Sequence, residues 1–174
     1  MVSLGGVGKE AVALYKQNLR EQRVDPDEHA EYVDELQRLE RQFMQKAKDK
    51  DEDLLTHKLS LAVHLIRSTK RSHVNAGIAL LQELCEEDPV KENQRVYIYY
   101  LAVAYYQLRA YRPSRECLEV LLRLEPNNRQ ALALHSVLEQ EVTKDGLIGM
   151  GIVGAAAATA AVGGFLLIKA LASK

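Results

Sequence analysis

Several things are scarce in this sequence, and each scarcity narrows what the chain can be. Cysteine occurs only as Cys85 and Cys117, with no CxxC spacing. That argues for two small apolar core thiols in a reducing compartment rather than a disulfide or metal framework. Proline and glycine are sparse between residues 9 and 145, where only Pro26, Pro89, Pro113, Pro126 and Gly77 interrupt the chain. No stretch there alternates as a half-buried strand does, so the soluble part is expected to be all-α. A basic excess is missing too: 23 basic side chains stand against 24 acidic ones, so nucleic acid is not an expected partner. The start, Met1 to Gly8, lacks the basic region of a secretory leader. Glu10 and Glu21 follow it, which argues against an acid-poor organellar presequence.

Signatures of chemistry are equally thin. His29, His57, His64, His73 and His135 show no metal-ligand spacing. The glycines of Leu4–Gly8 have no GK[ST] after them, so they form no phosphate loop. The acidic run Asp49–Asp53 lacks the glycine of a twelve-residue calcium loop and reads as a solvated helix start. No catalytic residue, metal or cofactor is expected, and the chain is not expected to be an enzyme.

Charge is absent from one further place. Residues 146–168 contain none, and only Lys169 and Lys174 are charged after Asp145. A helix of that length, at about 1.5 Å per residue, would cross a hydrocarbon core of about 30 Å. It satisfies its own backbone, as lipid requires. It has no polar stripe, which a buried core helix of this length would show. The expected organisation is an N-terminal arm (1–31), a cytosolic helical domain (32–145), a transmembrane tail anchor (146–168) and a short basic tail (169–174). Between residues 147 and 168, about half of the positions are Ala, Gly or Thr. A span so weakly apolar, with Lys169 and Lys174 as targeting residues, fits the mitochondrial outer membrane or the peroxisome. Gly151, Ala155, Thr159 and Gly163 form a small-residue face on which a second copy could pack as a homo-oligomer. Small residues also simply lower hydrophobicity, and both readings stand.

Apolar spacing predicts helices at about 27–48, 52–69, 73–88, 92–109, 112–125 and 128–144. Asp25-Pro26-Asp27-Glu28 and Ser72 offer start signals, and Pro113 suits a first turn. The segment from Arg95 to Asn128 resembles a tetratricopeptide repeat in length and pattern, with Leu101, Ala102, Tyr105, Ser114 and Pro126 at its characteristic places. Leu118 and Leu121 depart mildly from the pattern. Ala102 and Ser114 would let the paired helices touch. An earlier, degenerate copy carries Leu61, Ala62, Leu65, Gly77, Leu81, Leu84 and Pro89. Ala62 and Gly77 stand further apart in the chain than Ala102 and Ser114 do, by almost one helical turn. A stretched loop over 67–75 is therefore expected. The fold expected is a tetratricopeptide-repeat-like bundle, two repeats plus capping helices, with a C-terminal transmembrane helix.

Stacked repeats present the first helix of each pair on a concave side. The inward positions fall on Leu59, Val63, Ile66 and Arg67, then on Val96, Tyr99, Val103, Tyr106 and Gln107. Such a groove suits an amphipathic helix or an extended apolar segment. Residues 9–23, with Ala11, Val12, Leu14, Tyr15 and Leu19, could equally lie across it; partner and arm are compatible occupants.

The junction Lys144-Asp145-Gly146-Leu147-Ile148-Gly149-Met150 resembles that of the mitochondrial fission 1 protein family. So do Leu65-Ile66-Arg67-Ser68, Gly77-Ile78-Ala79-Leu80-Leu81, Tyr100-Leu101-Ala102-Val103 and Glu125-Pro126-Asn127-Asn128. The resemblance covers roughly residues 32–174. It implies a six-helix cytosolic bundle on mitochondrial and peroxisomal outer membranes that recruits a dynamin-related GTPase, directly or through adaptors, for division. The protein-binding groove it implies is Leu59, Val63, Ile66, Tyr99, Val103 and Tyr106. The arm (1–31) is longer than is usual in the family. A membrane-anchored receptor for chaperones or imported proteins is the alternative. Carboxylate-clamping Lys, Arg and Asn would then line the groove, where Tyr99, Tyr100 and Val103 stand instead.

Overall fold

The computed structural model describes residues 8–49, 53–88 and 90–148. The expected transmembrane span and basic tail therefore lie almost wholly outside the described residues, including Gly151, Ala155, Thr159, Gly163, Lys169 and Lys174. Among the described residues no helix is long and apolar enough to cross a membrane.

Among the described residues seven helices follow one another: α1 (Lys9–Glu21), α2 (Ala30–Asp49), α3 (Leu54–Ile66), α4 (Arg71–Glu87), α5 (Lys91–Gln107), α6 (Tyr111–Leu124) and α7 (Arg129–Ile148). Helices α3 to α7 pack each on the next, α2 packs on α3, and α1 crosses to pack on α7. The pairs α3/α4 and α5/α6 are the two repeats; α2 covers one end and α7 the other. A six-helix bundle is thus extended by one helix, the arm itself. The apolar core is built from Ile66, Leu81 and Leu84 in the first repeat and from Ile98, Leu101, Leu118 and Leu121 in the second. Leu134 and Leu138 of α7 complete it.

The small residues sit where the helices cross. Ala62, Ala102 and Ser114 are fully buried, and Ser114 Oγ donates to the Ala102 carbonyl at 2.8 Å. A Cβ placed on Gly77 would come within 2.6 Å of Ile66 Cγ2 and 3.0 Å of the Ala62 carbonyl oxygen. Glycine is therefore what lets α4 close on α3. Tyr105 is buried, its hydroxyl accepting from Gln82 Nε2 at 3.1 Å. Pro126 is exposed in the turn after α6; it ends the helix rather than filling the core.

Three local expectations are corrected. Helix α2 starts at Ala30, not near 27. Asp25 instead folds a separate turn, its carboxylate accepting from the Asp27 amide at 3.0 Å and its carbonyl from the Glu28 and His29 amides. Ser72 does not cap α4; Ser68 Oγ accepts from the Lys70 amide at 3.1 Å just before that helix starts. The first repeat also has no stretched loop. Only residues 67–70 separate α3 from α4, and the additional residues lengthen α4 at its start, where Val74 is fully buried. A further turn of helix satisfies backbone groups that a longer loop would leave to water.

Two turns are held by specific polar arrangements. Between α4 and α5 the buried Asp88 carboxylate accepts from the Val90 amide, Asn93 Nδ2 and the Tyr97 hydroxyl. These donors hold its pKa below the ordinary value despite the opposing effect of desolvation. Between α5 and α6, Arg109 has φ 59°, in the left-handed region. The Ala110 amide reaches back to the Tyr105 carbonyl and the Arg109 amide to that of Tyr106. This is the Schellman pattern, with arginine where glycine is usual.

Candidate partner-binding face

The first helices of the successive pairs, α3 and α5, together with α7, form one face, and α1 lies on it. Helix α1 is amphipathic, and its buried side chains are Val12 and Leu19. Leu19 joins the main core, and Tyr15 packs against it. The Tyr15 hydroxyl hydrogen-bonds the Tyr99 hydroxyl, and the Lys16 ammonium pairs with the Glu141 carboxylate on α7. Burial, with Tyr99 next in importance, pushes the Tyr15 phenol far above its ordinary pKa. Tyr106 is also raised, first by desolvation and then by Glu141. All these phenols stay neutral near neutral pH, so the face offers hydroxyl donors and acceptors on apolar rings.

Of the residues expected to line the groove, Leu59, Val63, Tyr99 and Tyr106 are half-buried. Ile66 is only 2% exposed, and its Cγ2 lies against Gly77. It belongs to the joint between α3 and α4 rather than to an open groove. Val103 is 6% exposed and part of the same core as Leu19. Outside these six, Val96 is exposed and Gln107 half-buried, while Arg67 donates to the Gln22 carbonyl at 3.2 Å. A tyrosine face covered by an arm is what the structure presents.

The arm does not fit closely along its whole length. Leu14, expected among its apolar contacts, is 68% exposed. With Gly8, Ala11, Leu132 and Ala133 it borders an open cleft of about 870 Å³ between α1 and the start of α7. Beyond the helix the chain is fixed again. The Val24 amide donates to the Arg67 carbonyl at 2.8 Å, and the Thr69 amide to the Val24 carbonyl at 2.9 Å. The Tyr15–Tyr99 and Lys16–Glu141 partnerships were not legible in the sequence. The only signal was the amphipathic pattern of residues 9–23, which says that a face is covered and not by what.

Cys85 and Cys117 are buried and free. Burial pushes the Cys85 thiol up to about 12, and the Cys117 thiol higher still. Among the described residues no group of His, Cys, Asp or Glu is arranged to hold a metal ion.

The fold and this face define a tetratricopeptide-repeat-like helical domain. Residues 95–147 match the model of the Fis1 C-terminal tetratricopeptide repeat. The chain is 38% identical over 111 residues to the FIS1-related protein fis-1 of Caenorhabditis elegans, covering 64% of this chain and 76% of that protein. It is 37% identical over 122 residues to the mitochondrial fission 1 protein of Rattus norvegicus, covering 70% and 79%. Among solved structures it is similar to yeast Fis1, crystallised in complex with an Mdv1 fragment containing N-terminal extension and coiled-coil domains. That likeness has a TM-score of 0.59 at 25% identity, covering 65% of this chain and 86% of the other. The chain belongs to the mitochondrial fission 1 protein family.

Proposed function

We propose that this protein is a non-catalytic adaptor of organelle division. It is anchored by residues 146–168 in the mitochondrial outer membrane, and also in the peroxisomal membrane, with its repeat domain in the cytosol. It recruits a dynamin-related GTPase, directly or through an adaptor protein. The observation that carries the reading is the tyrosine face of α5 under a cover held by few contacts. Tyr99 and Tyr106 are half-buried, and α1 buries only Val12 and Leu19 of its own side chains. An amphipathic helix from a partner could replace α1 there with equivalent contacts. The family supports the same direction, because yeast Fis1 was crystallised with a fragment of the adaptor Mdv1.

The test is capture on vesicles carrying the full chain. A purified dynamin-related GTPase and a coiled-coil adaptor fragment are offered to wild type, to Tyr99→Lys and to a chain lacking residues 1–21. Recruitment is expected to fall at least tenfold with Tyr99→Lys and to rise severalfold without the arm. Equal recruitment by all three would refute the assignment of the face. Capture of chaperone C-terminal peptides instead would mark a docking receptor.

A further inference from the structure

Antiparallel helices sort their connections to two ends, and here the two ends differ in charge. The α3–α4 and α5–α6 turns lie side by side, with Arg71 Nη1 donating to the Leu108 carbonyl at 3.5 Å. The α5–α6 turn adjoins the second half of α7, since Arg115 near the start of α6 pairs with Glu139 at 2.8 Å, and the α3–α4 turn stands beside it. These two turns carry Arg67, Lys70, Arg71, Arg109 and Arg112, with no acid at 67–71 or 108–112. Arg67, Arg71, Arg109 and Arg112 are exposed. At the opposite end the α4–α5 connection gathers Glu86, Glu87, Asp88 and Glu92 around the single Lys91, while the acids of Asp49–Asp53 are offset in part by Lys48 and Lys50 and the α6–α7 connection sets Arg123 and Arg129 against Glu125. The basic end is partly offset, because Lys70 pairs with Asp27 and Arg112 with Glu116. The neighbouring α1–α2 connection adds Arg20 and Arg23 but also Glu21, Asp25 and Glu28. The surplus therefore resides in the two arginine turns.

This end is the one from which the chain leaves for the expected anchor. Helix α7 runs unbroken to Ile148, past Gly146, the first residue of the uncharged run. With Arg115 level with Glu139, Arg112 stands about level with Val142. That is roughly one helical turn, or about 6 Å, short of Gly146. With residues 146–168 as the span, the α5–α6 turn would stand within about one Debye length of the headgroup plane, roughly 8 Å at physiological salt, with the α3–α4 turn beside it. Arg109 adds a separate observation. It occupies the left-handed position of a Schellman turn, where glycine would carry no steric cost. A cation kept at a strained tip points to use of its charge.

We propose that these two turns form a basic collar that rests on anionic phospholipid headgroups and holds the domain down against the bilayer by one end. The inference rests on the anchor reading above. Each cation near an anionic surface strengthens the contact about fivefold, and salt weakens it.

The test uses the full chain in vesicles of phosphatidylcholine, alone or with phosphatidylserine. A fluorophore is placed by Ser72→Cys beside the collar or by Asn127→Cys at the far end; both positions are exposed. Quenching by headgroup-labelled lipid reports proximity. Expected is severalfold stronger quenching at position 72 with phosphatidylserine, lost at high salt and in Arg71→Gln/Arg109→Asn/Arg112→Gln, and no change at position 127. Equal quenching at position 72 in neutral and anionic vesicles, or in the triple variant, would overturn the collar alone. A chain that does not float with either vesicle overturns the anchor reading and the collar with it. Arg109→Gly is expected to raise Tm while lowering the quenching; a lowered Tm would show that the arginine is not held against stability.

Discussion

Helices α1 and α2 are both amphipathic and both lie on the outside of the repeats, yet they are seated in different ways. Helix α2 buries Tyr32 and Leu36 against Leu61 and Leu65, with Val33, Leu39 and Phe43 packed around them. Its polar groups are answered reciprocally. The Tyr32 hydroxyl donates to the His64 carbonyl at 2.8 Å, and His64 Nε2 lies 3.1 Å from the Tyr32 carbonyl. The two rings stack at 4.2 Å. Beside them the buried Lys58 ammonium bridges Glu83 and Glu87 of α4, below the ring of Phe43. Helix α1 has a phenol pair, one ion pair and an unfilled cleft along its first turns. The difference teaches that amphipathicity fixes where a helix lies, while the number of answered polar groups and filled contacts decides how firmly it stays.

The largest expected effect that would break this comparison is at Tyr32. Tyr32→Ala removes a buried ring and its hydrogen bond, at a cost of about 3–5 kcal/mol. Chemical denaturation should show the loss, and a loss below about 1 kcal/mol would mean that α2 is no firmer than α1. Next in size is Tyr15→Ala, expected to cost about 1–2 kcal/mol, since its ring is only partly buried and its hydroxyl makes one bond. Hydrogen exchange should then speed over residues 9–21 and stay unchanged over 30–49. Lys16→Ala should cost less than about 1 kcal/mol, as partly exposed ion pairs do, with the same exchange signature in weaker form.

The smallest effect is set by pH. Desolvation holds the His64 pKa below its ordinary value, although the hydrogen bond to the Tyr32 carbonyl acts the other way. The unfolded chain therefore binds this proton more readily than the folded one. The stability His64 contributes is complete above its unfolded pKa, about 6.5, and is lost as pH falls through the depressed folded value. Thermal melts from about pH 7.5 downward should show a modest fall in Tm that His64→Gln flattens. A rising Tm over that interval would reverse the sign and refute the assignment.

Much of the fold was legible because helical spacing and small residues at crossing points are local signals. Ala102, Ser114 and Gly77 reveal where helices must touch, since nothing larger fits there. The joint at Ile66 was misread as groove lining because the repeat pattern gives a helix face but not its angle, and Gly77 draws that side chain inward. The Asp25 turn was misread because a capping acid before a proline serves a helix or a free turn equally well. The Tyr32–His64 clasp and the seat of Tyr15 depend on pairings between distant parts of the chain, which no periodicity encodes. For the face itself, the sequence supplied Tyr99 and Tyr106. It could not show that Val103 is enclosed, so a charged residue there would damage the fold and the face together.

The backbone pairing of Val24 with Arg67 and Thr69 has a consequence for competition at that face. Should α1 lift away, the chain remains moored a few residues past its end and the helix cannot wander far. Its local concentration stays in the millimolar range whatever the amount of protein. On the proposed function, a partner would have to outbid a resident that dilution never removes, and the length of the mooring would set the threshold for docking.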